Sequence, residues 1–183
     1  MAFYEKQITT ETVYNGLIVK VRTDTAELQN GNTAAREVVE HPGGVGIVPV
    51  TADNKVLMVR QFRYPMKEEL LEIPAGKLGD IEGEDPFECA VRELSEETGC
   101  TADKFIDLGA VYTSPGYNNE VLHLYLALDL QQGEMHPDHN ELLSVEAVGI
   151  GELTDMIMNN EIQDAKTIIG ILKAKRYLEG ENG

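Results

Sequence analysis

Apolar residues that alternate with polar ones, or cluster in β-branched runs, mark a series of strands along most of the chain. Tyr14 to Val21 and Ala35 to Glu40 are β-prone and flank Gln29-Asn30-Gly31-Asn32, whose Asn-Gly pair is a strong short-range turn signal, so an N-terminal β-hairpin is expected. Val45 to Val50 and Lys55 to Arg60 read as two further strands joined by the polar turn Thr51-Ala52-Asp53-Asn54. Leu70 to Ile73 is a short strand that stops at Pro74, and Leu108 to Thr113, Val121 to Leu130 and Ser144 to Ile150 continue the series.

The period changes to that of a helix at Asp85 to Thr98, Ile150 to Asn159 and Asp164 to Leu178. In the last of these, Ala165, Ile168, Ile169, Leu172 and Arg176 keep the three-and-four spacing of one face, which is expected to pack inward. The first is bounded on both sides: Asp85 is an N-cap, Pro86 suits the first helical position, Glu88 completes a capping box, and Gly99 can end the helix left-handed. At about 100° per residue, Phe87, Ala90, Val91, Leu94 and Thr98 fall on one inward stripe, while Glu93, Glu96 and Glu97 form a second, separate cluster. Strands and helices alternate without a repeat or a Pro/Ser-rich linker, so an α+β structure around a mixed sheet is predicted, with a frayed tail at Glu179 to Gly183.

Length adds that 183 residues suffice for a hydrophobic core without disulfides. Charge narrows the partners: 32 acids against 15 bases give a net charge of −17, which argues against a nucleic-acid groove and against an acidic membrane surface. The start MAFYEKQITT lacks the basic and apolar regions of a leader and no run approaches a membrane span, so a cytoplasmic protein is expected. Cys89 and Cys100 are the only cysteines and belong to no Cys/His cluster, which fits a reducing compartment and supports neither a disulfide scaffold nor a zinc site.

The acids are uneven. From Glu68 to Glu97 eleven of them face only Lys77 and Arg92. A solvated face is the simple explanation, but Glu93 and Glu97 are one helical turn apart, where like charges repel unless a cation offsets them. Oxygen donors with no His or Cys nearby select hard cations, Mg2+ or Mn2+. Arg92, four residues before Glu96, can brace it, or can form an ordinary surface ion pair. Upstream, Leu71-Glu72-Ile73-Pro74-Ala75-Gly76-Lys77-Leu78-Gly79 leads from a strand through a glycine-containing loop toward the helix start, as phosphate-approaching loops do.

Together, Gly76, Glu84 and Arg92-Glu93-Leu94-Ser95-Glu96-Glu97-Thr98-Gly99-Cys100 resemble the Nudix box, Gly-x5-Glu-x7-Arg-Glu-U-x-Glu-Glu-x-Gly-U. One departure stands out: seven residues, not five, separate Gly76 from Glu84, so the loop carries a two-residue extension, and both Glu82 and Glu84 are candidates for the first glutamate. The flanking Arg36-Glu37-Val38-Val39-Glu40-His41-Pro42-Gly43, Val59-Arg60-Gln61-Phe62-Arg63-Tyr64, Leu71 to Gly76 and Ser114-Pro115-Gly116 resemble the ADP-ribose pyrophosphatase branch of that family. The resemblance implies an α/β/α sandwich around a mixed sheet, with residues 1–40 an N-terminal β region that joins a homodimer and residues 41–183 the hydrolase domain. It also implies hydrolysis of a nucleoside diphosphate sugar, ADP-ribose above all, to AMP and ribose 5-phosphate.

Carried over residue by residue, the resemblance assigns metal binding to Glu93, Glu96, Glu97 and the carbonyl of Ala75. Two Mg2+ ions would then polarise the phosphoryl oxygens and activate a bridging water. Glu120, on the loop after Ser-Pro-Gly, is the expected general base, with Glu96 and Arg92 supporting the chemistry. Arg63, then Arg36 and Arg60, are expected to meet the substrate anion, and Glu40 to meet ribose; with no Trp in the chain, base stacking falls to Tyr14, Tyr64 or Tyr117. His123 reads as an ordinary sheet histidine, and His136 and His139 as solvated loop residues. The competing readings are hydrolysis of GDP-mannose, NADH or a flavin dinucleotide, a non-catalytic nucleotide-sugar sensor, and a simple buffer of divalent ions.

Overall fold

A computed structural model describes residues 3–136 and 142–181. It divides into two compact units, one made of the chain up to Gly43 with Tyr112–Val121, the other of Gly44–Val111 with the chain from Leu122 onward.

The first unit is a three-stranded antiparallel sheet of β1 (Glu5–Asn15), β2 (Lys20–Leu28) and β3 (Thr33–Glu40) in that order. The Asn-Gly turn joins β2 to β3 as expected, with Gly31 at φ 83° and its N–H donating to Leu28 O at 2.9 Å. The expected hairpin is, however, one strand short. The run Tyr14 to Val21 is broken at Gly16, whose N–H donates to Val19 O at 2.9 Å in a turn between β1 and β2. Every residue of β1 is exposed, so no half-buried alternation marks it as a strand. The segment before Val121 is strapped to the end of β3: Val39 N–H donates to Tyr117 O at 2.7 Å, Asn119 N–H to Val39 O at 3.2 Å, and His41 N–H to Asn119 Oδ1 at 2.8 Å.

In the second unit, a mixed sheet runs β7 (Ala75–Lys77), β4 (Gly44–Pro49), β9 (Val121–Gln132), β8 (Cys100–Tyr112), with β4 parallel to β9 and antiparallel to β7. An antiparallel sheet runs β10 (Leu143–Gly149), β5 (Lys55–Arg63), β6 (Glu68–Glu72). The helices are α1 (Pro86–Thr98), α2 (Ile150–Met158) and α3 (Ala165–Glu181). Alternation along β4 and β9 separates two cores: Val45, Ile47, Tyr125 and Ala127 pack with Cys89, Ala90 and Leu94 of α1, and Val48, Leu122, Leu124 and Leu126 pack with Met58, Ile73, Leu153 and Ile171. Helices therefore cover both faces of a mixed sheet, the α+β, α/β/α arrangement expected. His139 and the tail residues Asn182 and Gly183 lie outside the described residues.

Two helix faces differ from their sequence wheels. On α3 the buried residues are Thr167, Gly170, Ile171 and Ala174, while Leu172 is exposed and so are Ala165 and Arg176. A Cβ on Gly170 would lie 3.0 Å from Ile73 Cδ1 and 3.1 Å from Val48 Cγ2, so the helix approaches the sheet through its smallest residues, which hydropathy ranks low. On α1 the buried set is Cys89, Ala90, Glu93, Leu94, Glu97 and Thr98, with Phe87 and Val91 exposed. Of the glutamates expected to stand apart, Glu93 and Glu97 are part of the buried face and Glu96 is half-buried.

Candidate active site on the acidic helix

The path from β6 through Pro74, β7 and residues 78–84 delivers the chain to α1. Ile47 N–H donates to Pro74 O at 2.8 Å and pins its start. Asp85 Oδ1 accepts from the N–H groups of Phe87 and Glu88 at 2.8 and 2.9 Å, and Glu88 Oε2 accepts from Asp85 N–H at 3.1 Å, completing the capping box. Gly99, at φ 71°, closes the other end with its N–H on Ser95 O. The acidic turn is thus fixed at both ends.

Arg92 is the hub. Its guanidinium donates to Glu84 through Nε at 2.8 Å and Nη2 at 3.1 Å, and through Nη1 to Glu93 at 2.8 Å and Glu96 at 2.7 Å. The brace to Glu96 is as expected, and three carboxylates around a side chain 23% exposed make it more than a lone surface pair. Between the two candidates for the first glutamate, Glu84 is engaged and Glu82 is exposed. The extended loop is accommodated by Gly79 and Gly83, both left-handed at φ 90° and 82°. The hydrogen bonds to Glu84, followed by the charge of Glu93 and the hydrogen bonds to Glu96 and Glu93, raise the Arg92 pKa far above its usual range against the opposing effect of burial, and Arg92 in turn holds Glu84 below the ordinary carboxylate value. Burial, and then the charges of Glu84 and Glu93, push the Cys89 thiol up to about 12, so it is neutral.

A carboxylate depressed in the folded state adds stability that is present above its unfolded pKa and lost as pH falls through the folded one. Glu84→Gln is therefore expected to flatten the fall in melting temperature below about pH 4.5, measured by thermal melts across an acid pH series, with little change at neutral pH beyond the lost ion pair.

Glu93 and Glu97 sit against the loop. Glu97, 2% exposed, accepts from Ala75 N–H through Oε2 at 2.9 Å. Gly76 forms a cradle: a Cβ there would lie 1.9 Å from Glu93 Oε1 and 2.0 Å from its Cδ. The overlap reaches Glu93 Cγ at 2.3 Å, so Gly76→Ala is expected to displace the whole buried Glu93 side chain. Turnover should fall by about tenfold or more and the melting temperature should fall with it, read from parallel kinetics and melts.

The side-chain donors this turn offers are carboxylate oxygens, the chemistry of a hard divalent cation. Among the described residues no three His, Cys, Asp or Glu side chains are gathered as a formed ion site, because Arg92 spans Glu93 and Glu96 and Glu97 turns to Ala75. The donor set fits Mg2+ or Mn2+, which would compete with Arg92 for the carboxylates.

The remaining expected residues lie as follows. Arg63 is bidentate to Glu72, Nε to Oε1 at 2.8 Å and Nη2 to Oε2 at 2.6 Å. These hydrogen bonds raise its pKa against the opposing effect of burial, with further contributions from the charges of Glu72, Asp164 and Glu97. Burial alone would raise Glu72, but Arg63 and Lys166 outweigh it and the carboxyl lies below its ordinary range. Arg60 is paired across the sheet with Glu146 at 2.6 Å. In the first unit, Arg36 is bidentate to Glu5 at 2.6 and 2.9 Å, and Glu40 is held by Lys20 at 3.0 Å and Arg22 at 3.1 Å. Glu120 Oε2 accepts from Thr113 Oγ1 at 2.7 Å, and its Oε1 is 3.3 Å from His41 Nδ1. Arg36 and Tyr117 line a cavity of about 600 Å3 with Tyr112, Asn118 and the buried Asp24. Tyr14 and Tyr64 are exposed, and Tyr64 carries Lys67 Nζ over its ring at 3.0 Å. His123 is half-buried in β9 and His136 is exposed.

Sequence reasoning missed Glu72, which binds Arg63, and with it Lys166, Asp164 and Thr167, which continue the network from Glu72 to Ile73. Glu72 stands in the quoted Leu-Glu-Ile-Pro run, but Lys166 is 94 residues away and no local spacing links them.

The chain is 41% identical over 171 residues to the methanol dehydrogenase activator of Bacillus methanolicus, covering 92% of this chain and 91% of that protein. It is 39% identical over 181 residues to the ADP-ribose pyrophosphatase of Bacillus subtilis (strain 168), covering 97% of each, and 35% identical to that of Mycobacterium tuberculosis, covering 94% of this chain and 84% of that one. A crystal structure of an ADP compounds hydrolase superposes with a TM-score of 0.85 over 97% of this chain and 95% of that one; at 22% identity it speaks for the fold. The sequence profile of the NUDIX domain matches residues 40–169, a span that holds the whole Arg92-centred box and both sheets of the second unit. This chain belongs to the NUDIX domain family.

Proposed function

We propose that the chain hydrolyses the pyrophosphate bond of ADP-ribose, and of related ADP-sugars, to AMP and ribose 5-phosphate in the presence of Mg2+, or of Mn2+ in its place. The observation that carries this reading is the full-length likeness to the Bacillus subtilis ADP-ribose pyrophosphatase together with an intact Glu93, Glu96 and Glu97 set. When bound by Glu93, Glu96, Glu97 and the Ala75 carbonyl, the divalent ions supply charge neutralisation at the phosphoryl oxygens and a more acidic water. Arg92 keeps the carboxylates in register on the helix and offsets their mutual repulsion. Glu120 takes the proton of the attacking water as general base, held by the hydroxyl of Thr113. Arg63 and Arg36 bind the substrate anion, Arg60 adds to the positive field, Glu40 meets ribose, and the Tyr117 cavity takes the base. No covalent intermediate is needed.

Residues 1–40 serve in this reading as the dimer-forming region of a cytoplasmic homodimer and residues 41–183 as the hydrolase domain, a division supported by the exposed Ile8, Val13, Leu17 and Ile18 of the first unit. Sedimentation of the purified protein at twice the chain mass is the expected result.

The test of substrate is a panel of ADP-ribose, GDP-mannose, NADH and FAD at equal concentration with Mg2+, following release of AMP or the corresponding monophosphate. ADP-ribose should lead; preference for GDP-mannose, which is the substrate in the name of a Yersinia enterocolitica relative 33% identical over 150 residues, would replace it. The Bacillus methanolicus likeness favours a second reading, activation of a methanol dehydrogenase, tested by adding the chain to such an enzyme and measuring its rate.

Arg63→Ala is expected to raise KM about tenfold or more while kcat falls less, because a phosphate contact made in ground and transition states alike is uniform binding. Steady-state kinetics on ADP-ribose decide it, and an unchanged KM removes Arg63 from the pocket.

A further inference from the structure

Glu72 is the meeting point of three elements of the second unit. It is 1% exposed, lies on β6 just before Ile73-Pro74-Ala75-Gly76, and binds two cations at once: Arg63 of β5 in a bidentate pair, and Nζ of Lys166 in the first turn of α3. Lys166 is anchored a second time by Asp164 Oδ2 at 2.9 Å. Asp164 is itself fixed by accepting from Thr167 N–H at 2.9 Å and Thr167 Oγ1 at 2.6 Å, and Thr167 Oγ1 accepts from Ile73 N–H at 3.0 Å. The two cations are not equivalent. The Lys166 side chain is 14% exposed and held by both Glu72 and Asp164, whereas the Arg63 side chain is 37% exposed and hydrogen-bonded to Glu72.

One well-placed cation suffices to offset a buried carboxylate, and removal of that partner strands an uncompensated charge. A second cation on the same carboxylate matters when the first has to leave. The guanidinium fork that fits the Glu72 carboxylate fits a phosphate equally well. We propose that Lys166 is a positioning residue that releases Arg63: it holds the buried Glu72 carboxylate, so that Arg63 can turn from Glu72 to a substrate phosphate without leaving that charge unpaired. The inference rests on the reading that Arg63 binds the substrate anion.

The test is steady-state kinetics on ADP-ribose with saturating Mg2+ for the full chain and for Arg63→Ala, Lys166→Met, Lys166→Arg and the double variant Glu72→Gln/Lys166→Met, with a thermal melt for each. Lys166→Met should raise KM about tenfold while kcat stays within about threefold, because Arg63 is then the only cation on Glu72 and stays there. Lys166→Arg should restore KM to within a few-fold. The double variant, which removes the charge that retains Arg63, should do the same, and a merely structural role for Lys166 predicts no such rescue. If Arg63→Ala raises KM but Lys166→Met does not, or if the double variant is no better than Lys166→Met, the release role is wrong and the anion-binding reading stands. If Arg63→Ala leaves KM unchanged, the anion-binding reading fails and the inference goes with it. Should Lys166→Met not fold, the same comparison is made with Lys166→Gln and its Glu72→Gln double.

Discussion

Replacing Glu97 by Gln should lower kcat by about 10²–10⁴-fold while the protein keeps its fold. The carboxylate is 2% exposed and accepts from Ala75 N–H at 2.9 Å. A glutamine can present its carbonyl oxygen to the same N–H, so the tie between α1 and β7 survives the loss of charge. Neutralising a buried carboxylate also removes a desolvation cost, so the melting temperature should hold. What disappears is a hard anionic donor for a divalent ion. Turnover measured over a Mg2+ titration, beside a melt of the same preparation, separates the two effects. Activity within a few-fold of the parent at all Mg2+ concentrations would remove Glu97 from the metal site.

Glu120→Gln should show an equally large loss of kcat, about 10²–10⁴-fold, with Mg2+ and ADP-ribose affinity nearly intact. A general base acts on the water and contributes little to the ground-state complex. Its carboxylate is held by the Thr113 hydroxyl at 2.7 Å, and its own N–H donates to Asn118 Oδ1 at 2.9 Å, in a segment bonded to the end of β3. The acids of the extended loop provide the contrast. Glu84 is committed to Arg92 and Glu82 is exposed, so Glu82→Gln should remain active. Near-normal kcat in Glu120→Gln together with loss in Glu82→Gln would move the base into the box.

The parts of the molecule legible in the sequence were those whose determinants are local. The caps of α1 lie within a few residues of what they cap, and the Asn-Gly turn carries its own left-handed preference. The brace from Arg92 to Glu96 needed only helical spacing. What stayed hidden depended on tertiary contact. The inward faces of α1 and α3 were set by a carboxylate pair buried against a loop and by Gly170 meeting Ile73 and Val48, neither of which an apolar wheel ranks as core. β1 buries nothing within the described chain and so left no alternation to read. The choice of Glu84 over Glu82 required the geometry of a loop whose length departs from the usual box. Glu72 draws one partner, Arg63, from the neighbouring strand and the other, Lys166, from a helix 94 residues away, so its second ion pair could be seen only once the chain was folded.

The thiol of Cys89 lies wholly buried against that same hub, 3.4 Å from Arg92 Nη2, with its pKa pushed up to about 12. A neutral, inaccessible thiol is inert to alkylating reagents. It reacts only in the moments when α1 lifts from β7 or the loop before it unzips from Arg92. Its labelling rate is therefore a clock for breathing of the acidic turn, set by the opening equilibrium and not by sulfur chemistry. Any ligand that fastens the turn should slow that clock.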